Sequence, residues 1–279
     1  MNLHNVFGEI EKADPEIYER LDTRRSALKS FASMGSKIAL AAVPVALGSM
    51  FKKAYGGTND TVVEILNYAL TLEYLEAEFY QTAVSRFAAI GVPAGAAQAA
   101  ITTIRDHEVA HVAFLRTAIT SSGGAPVAKP TFDFTGGRGT MAGPFATVFL
   151  DYATFLAVAQ TFEDTGVRAY KGRAGELVGG GDLLTAALQI HSVEARHAAH
   201  IRLMRKTNNF ADVKPWITLK NSGGAPQAPY DGEEAVTQAG VPIVNINGQV
   251  IAAEAASEAF DEGLTKAQVL AIVDPFIVR

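Results

Sequence analysis

Residues 104–116 read IRDHEVAHVAFLR and residues 190–202 read IHSVEARHAAHIR. Aligned without a gap, they share Ile104/Ile190, Glu108/Glu194, His111/His197, Ala113/Ala199 and Arg116/Arg202. Each holds Glu-x-x-His, a spacing that places carboxylate and imidazole on one face of a helix. The chain contains 17 Glu and 6 His, so random scatter would supply about 0.4 such pairs. Two of them at matched positions of an internal repeat are a pattern.

A second pair of stretches precedes the first: residues 69–80 (ALTLEYLEAEFY) and 159–170 (AQTFEDTGVRAY). They share Ala-x-Thr-(Leu/Phe)-Glu, and Tyr80 and Tyr170 each follow their glutamate by two helical turns. The order is therefore Glu73, Glu108-x-x-His111, Glu163, Glu194-x-x-His197, a helix–helix unit written twice. The signals around it predict helices over about 60–90, 93–120, 144–173 and 182–206. Thr61-x-x-Glu64 supplies a capping box for the first, and Pro93 suits a first helical position. Short links within each pair make its helices antiparallel neighbours, while the Gly/Pro-rich segment 121–143 is long enough to cross the bundle.

At 48% hydrophobic and 19% charged residues the chain can build a substantial core. A net charge of −5 gives no basic surplus for nucleic acid, and the absence of Cys excludes thiolate zinc sites and cysteine-ligated iron–sulfur clusters. Any metal must be held by oxygen and imidazole, which suits Fe, Mn or Zn. Four glutamates on the inward stripes of four helices would be prohibitive to bury alone, at several kcal/mol per ion. Basic residues are scarce on that stripe: Arg105 has His191 as its counterpart, and Arg116 and Arg202 lie two turns beyond their glutamates. Two divalent cations bring four positive charges to four carboxylates. Glu76, one turn from Glu73, is an additional candidate whose slot in the second repeat is Gly166.

The arrangement resembles the ferritin-like superfamily of dinuclear carboxylate proteins, in which two helices give one Glu each and two give Glu-x-x-His. The Glu-x6-Tyr motifs and Glu194-Ala-Arg196-His197 also resemble those of rubrerythrin and bacterioferritin. The helix around Leu66-Asn-Tyr-Ala-Leu-Thr-Leu-Glu73 is similar to that of secreted, desiccation-related members. The resemblance implies an all-α, ferritin-like four-helix bundle of two helix-hairpin repeats with a long crossover. It implies Glu73 and Glu163 as terminal ligands, Glu108 and Glu194 as bridging ligands, and His111 and His197 as nitrogen ligands. Tyr80 and Tyr170 would hydrogen-bond that shell, or serve as core packing. Two Fe ions reacting with dioxygen or peroxide are the implied cofactor and partner. Two Mn with catalase chemistry, or a non-catalytic structural metal, Zn included, are the alternatives. His191 and His200, each one turn from a ligand, are candidates to orient the shell; His107 is left out of the ligand set.

The bundle is expected over 58–207, between an N-terminal segment (1–57) and a C-terminal wrapping extension (208–279). Arg24-Arg25 ahead of the apolar run 38–51 resembles a twin-arginine export signal, pointing to the periplasm. A basic helix packed on the domain, or membrane or surface attachment through residues 23–53, in a cytoplasmic or membrane-associated protein, is the alternative. Self-association is compatible with such a bundle. In the tail, Pro- and Gly-rich sequence predicts an extended wrap, then short helices near 250–260 and 265–273, the last with a Thr265-x-x-Gln268 capping box.

Overall fold

A computed structural model describes residues 59–178 and 180–279. The N-terminal segment 1–57, with its twin-arginine-like pair, lies outside the described residues, as does the Thr61 side chain expected to cap the first helix. Four long helices carry the fold: α1 (Asn59–Val84), α3 (Ala96–Ser121), α4 (Tyr152–Ala174) and α5 (Asp182–Thr207). A one-turn α2 (Phe87–Ile90) separates the first two. The all-α bundle expected from the repeat is the observed architecture.

Helix α1 pairs with α3 and α4 pairs with α5. Both pairs are antiparallel. Asn67, early in α1, bonds the backbone of Ala125 and Val127 just beyond α3, whereas Tyr74 further along α1 meets Arg116. In the second pair, Asp164 meets Arg202 and Gln160 meets Arg205. The two hairpins join through α1 and α4, also antiparallel, since Tyr80 reaches Glu163 and Tyr170 reaches Glu73. Because α1 and α4 carry the same motif, this opposition gives the bundle an approximate two-fold relation.

Three helix boundaries differ from the expectation, each for a local reason. The first helix does not run unbroken to residue 90. The Ser85 hydroxyl donates to the Thr82 carbonyl, an alternative to the helical ladder, and the chain turns before resuming as α2. Gly91, at φ +81°, then ends α2 in the left-handed region. The next helix starts at Ala96 rather than Pro93, after Gly95 at φ +90°. The third starts at Tyr152 rather than near Pro144. Asp151 stays extended there and its side chain accepts the Thr154 backbone N–H at 2.7 Å, a preferred N-cap arrangement.

At one end of the bundle the Phe79 ring stacks on Phe155 and meets Phe162 edge-on, both with centroids 5.1 Å apart. Phe134 from the 121–151 connection and Phe276 from the tail join this cluster. Phe132 bridges Ile277, so connection and C-terminus seal the same end together.

The tail wraps the second hairpin. Two helices appear near the expected places, α6 (Ala253–Ser257) and α7 (Lys266–Val273), and the Thr265–Gln268 capping box is present. Unexpected are two small hairpins, β1 (Thr237–Gln238) with β2 (Val241–Pro242) and β3 (Asn245–Ile246) with β4 (Gln249–Val250). Both turn through two residues at positive φ, Ala239-Gly240 and Asn247-Gly248, as hairpin turns matching strand twist require.

Three buried basic side chains tie the tail down. Arg168 donates to the carbonyls of Pro229, Asp231 and Glu262 and lies 2.7 Å from Glu233. Arg202 grips Asp164, which also accepts from Tyr230. Arg205 donates to Gln160 and to the carbonyls of Ser222 and Gly223. Among the described residues no helix is long and apolar enough to cross a membrane.

Candidate metal centre

Glu73, Glu108, Glu163 and Glu194 have no solvent exposure, and Glu76 and His197 are nearly as deeply buried. They project from four helices to one level of the bundle because the repeated motifs sit at matching depths in antiparallel partners. His111 joins them with 11% of its side chain exposed. The structure thus brings together every glutamate and histidine expected in the metal shell, and Glu76 with them.

Two sets of donor atoms form, each with all its atoms within 4.8 Å of one another. One comprises Glu73, Glu108, His111 and Glu194; the other comprises Glu108, Glu163, Glu194 and His197. Glu108 and Glu194 belong to both. Each set therefore has one private glutamate, one private histidine and two shared carboxylates.

The histidine contacts follow the same division. His111 Nδ1 lies 3.1 Å from Glu73, 3.2 Å from Glu108 and 3.3 Å from Glu194. His197 Nδ1 lies 2.8 Å from Glu108 and 3.3 Å from Glu163. Close as these atoms are, several are not properly hydrogen-bonded: Glu108 Oε1, Glu163 Oε2, both oxygens of Glu194 and His197 Nδ1 lack a partner of acceptable geometry. Buried polar atoms are nearly always satisfied, so five orphans in one cluster need an explanation. Their donor set is carboxylate and imidazole with converging lone pairs, which fits two divalent cations of the Fe, Mn or Zn kind.

Electrostatics lead to the same requirement. Burial, followed by the neighbouring Glu108 charge, raises Glu73 to about 7 although His111 opposes it. Burial and the surrounding carboxylates push Glu76 and Glu194 well above the usual range, and burial also raises Glu163. Glu108 goes the other way, to about 2: burial alone would raise it, but the His111 hydrogen bond and the adjacent His197 imidazole outweigh burial. His197 is held up near 11 by Glu163 and Glu108 against its own desolvation. Without metal the cluster must keep protons, and divalent cations can take the place of those protons.

Tyr80 and Tyr170 do hydrogen-bond the shell, and each does so across the repeat. The Tyr80 hydroxyl donates to Glu163 Oε1 and the Tyr170 hydroxyl to Glu73 Oε1, both at 2.5 Å. Each thereby fixes one oxygen of a private carboxylate and leaves the other facing the centre.

The two halves are not equal. A Cβ added at Gly166 would lie 3.1 Å from both Glu76 Oε1 and Glu194 Oε2. Glycine at that position leaves room for the Glu76 carboxylate. His107, omitted from the expected ligand set, places Nδ1 2.9 Å from His197 Nε2, with the rings nearly parallel. It stands on the exposed surface of α3 and fixes the face of His197 that points away from the carboxylates. Its counterpart in the second repeat is Val193, so the alignment alone offered no cue to it. His191 instead faces the Val167 carbonyl at 2.9 Å, and His200 is exposed, so neither orients the shell. The arginines two turns along also find repeat-related partners: Arg202 pairs with Asp164, and Arg116 donates to Tyr74, the residue aligned with Asp164.

Fold and centre together define a four-helix bundle with a buried carboxylate–histidine cluster compatible with a dinuclear metal site. A family model described as a ferritin-like domain matches residues 61–207, slightly more than half the chain, and the chain belongs to that family. No curated protein matches it.

Proposed function

We propose that this protein is a dinuclear oxidoreductase, holding two iron ions that react with dioxygen or peroxide in ferroxidase or peroxidase-like chemistry. The observation that carries the reading is the pair of overlapping donor sets sharing Glu108 and Glu194. In this reading Glu73 and His111 would help hold one ion and Glu163 and His197 the other, with Glu108 and Glu194 available to both. A pair of ferrous ions held there would make two electrons available to one oxidant, chemistry that redox-inert zinc cannot provide. Tyr80 and Tyr170 orient the private carboxylates and retain their own protons, since burial and the adjacent glutamates raise both hydroxyls well above the ordinary tyrosine range. Glu76 supplies an additional buried carboxylate at the waist of the site, as extra ligand or proton carrier. The surrounding helices exclude bulk water from all of them.

Elemental analysis with an anaerobic Fe(II) titration, followed by air, tests the proposal. It expects about two Fe per chain, a ferric absorption after oxidation, and loss of both in Glu108→Ala. Two Mn with rapid peroxide dismutation would replace it with a catalase. Zinc, or a metal that stabilises without turnover, would replace it with a structural role. Export through the Arg24-Arg25 signal is a separate proposal resting on sequence. It fails if the protein fractionates with cytoplasm while both arginines are intact.

A further inference from the structure

His197 meets the protein at both ring nitrogens. Nδ1 faces the carboxylates, 2.8 Å from Glu108 and 3.3 Å from Glu163, while Nε2 lies 2.9 Å from His107 Nδ1. The two rings are inclined by only 14°, with centroids 5.2 Å apart. That separation is the widest the 2.9 Å contact permits, so the imidazoles meet edge to edge rather than face to face. The contact therefore lies near both ring planes, where nitrogen lone pairs and N–H bonds point.

A neutral imidazole carries one N–H and one lone pair. For His197 to give its Nδ1 lone pair to a cation, its proton must sit on Nε2. His107 Nδ1 is placed to accept the hydrogen bond from that proton, which leaves His107's own proton on its Nε2. His107 is exposed, so water meets that second N–H without cost to the bundle. A histidine held in this way is fixed in both tautomer and ring orientation before a metal arrives.

The other half has no such arrangement. His111 turns Nδ1 toward Glu73, Glu108 and Glu194. Among the described residues its Nε2 makes no hydrogen bond. The residue aligned with His107 is Val193, whose side chain has no acceptor. With 11% of the His111 side chain exposed, solvent is left to meet that nitrogen.

We infer that His107 is a positioning residue for one metal position only. It locks His197 in the tautomer that accepts a cation, so the Glu163–His197 position depends on a surface imidazole and the Glu73–His111 position does not. The inference rests on the dinuclear site proposed above, but on neither the oxidant nor the identity of the metal.

Co(II) is a suitable probe because its visible absorption reports its ligands and no oxidant is needed. The metal-free full chain is titrated with Co(II) against a competing chelator, and the wild type should bind about two ions. His107→Phe keeps a flat ring but has no acceptor. It should weaken one ion by roughly 10–100-fold and leave the other at its wild-type affinity. His107→Asn, whose amide oxygen takes the place of Nδ1, should recover much of that loss, which a variant harmed only in packing would not do. In the Zn-loaded protein, isotope-edited NMR should show the His197 Nε2 proton protected from exchange, and His107→Phe should remove that protection. Equal weakening of both ions, no weakening, or no recovery in His107→Asn would overturn the positioning role and leave the dinuclear reading standing. A wild-type chain that binds no Co(II) would overturn the dinuclear reading itself, and the positioning role with it.

Discussion

At the scale of single residues the most informative pair is Glu76 and Gly166, where a buried carboxylate of one repeat faces a glycine in the other. Gly166→Ala puts a methyl 3.1 Å from Glu76 Oε1 and Glu194 Oε2. One carboxylate must shift, so we expect weaker metal uptake with the helical far-ultraviolet spectrum unchanged, read by competition with a chelator. Tyr80→Phe leaves Glu163 Oε1 without its donor at a cost of about 1–3 kcal/mol in the metal-free protein, measurable by urea unfolding. If Tyr170→Phe gives a matching loss, the two tyrosines are equivalent. The convergence of the six residues expected as ligands was legible because Glu-x-x-His and Glu-x6-Tyr fix a helix face from sequence spacing alone. Glu76 was legible as a candidate for the same reason. His107 was not a member of that face: it reaches His197 from another helix, and no spacing within one helix encodes that approach.

Among the elements, the helix bodies followed from periodicity while their ends depended on caps. Pro93 and Pro144 each offered a plausible start. Gly95 and Asp151 decided the matter, one by its left-handed backbone and the other by its side-chain bond to Thr154. Asp151→Ala should cost about 1 kcal/mol, seen as a lowered midpoint in chemical denaturation. The Thr154 hydroxyl and N–H hold the Asp151 carboxyl below its ordinary value of 3.8. Its contribution is thus present above that pH and disappears as pH falls through the depressed value; the variant and wild type should converge in acid. Gly172 decides how the tail crosses α4. A Cβ there would sit 1.9 Å from the Leu264 carbonyl oxygen, and Leu264 N–H bonds the Arg168 carbonyl just beside it. Gly172→Ala should destabilise by about 1–3 kcal/mol and expose the crossing segment to proteolysis. The two small hairpins of the tail had a readable signal in Asn247-Gly248, but Pro and Gly richness around it suggested an irregular wrap.

For the molecule as a whole, the buried carboxylates make stability depend on pH in opposite directions with and without metal. Glu73 rises from 4.5 to about 7 in the folded, metal-free chain, and burial raises Glu76, Glu163 and Glu194 as well. A folded state that holds protons more tightly is favoured at low pH, so this contribution is complete below about 4.5 and is lost as pH rises through 7. Thermal melts of chelator-treated protein should therefore show a falling midpoint across that window. Metal competes with those protons, so added Fe(II) or Zn(II) should stabilise more as pH rises. Ending the chain at residue 207 would strip the carbonyl partners from Arg168 and Arg205 and the Tyr230 hydroxyl from Asp164. Buried charge left without partners costs about 3–5 kcal/mol per broken pair, so the truncated bundle should be insoluble or molten. The tail's dependence on three buried arginines was invisible in sequence, where Arg168, Arg202 and Arg205 look like ordinary helix charges. A last consequence belongs to the crossed tyrosines. Neither half of the duplication owns a finished site, because each has lent its tyrosine to the other's glutamate. The hairpins are halves of one instrument rather than two modules, and neither can be excised, replaced or grafted elsewhere and still be expected to work.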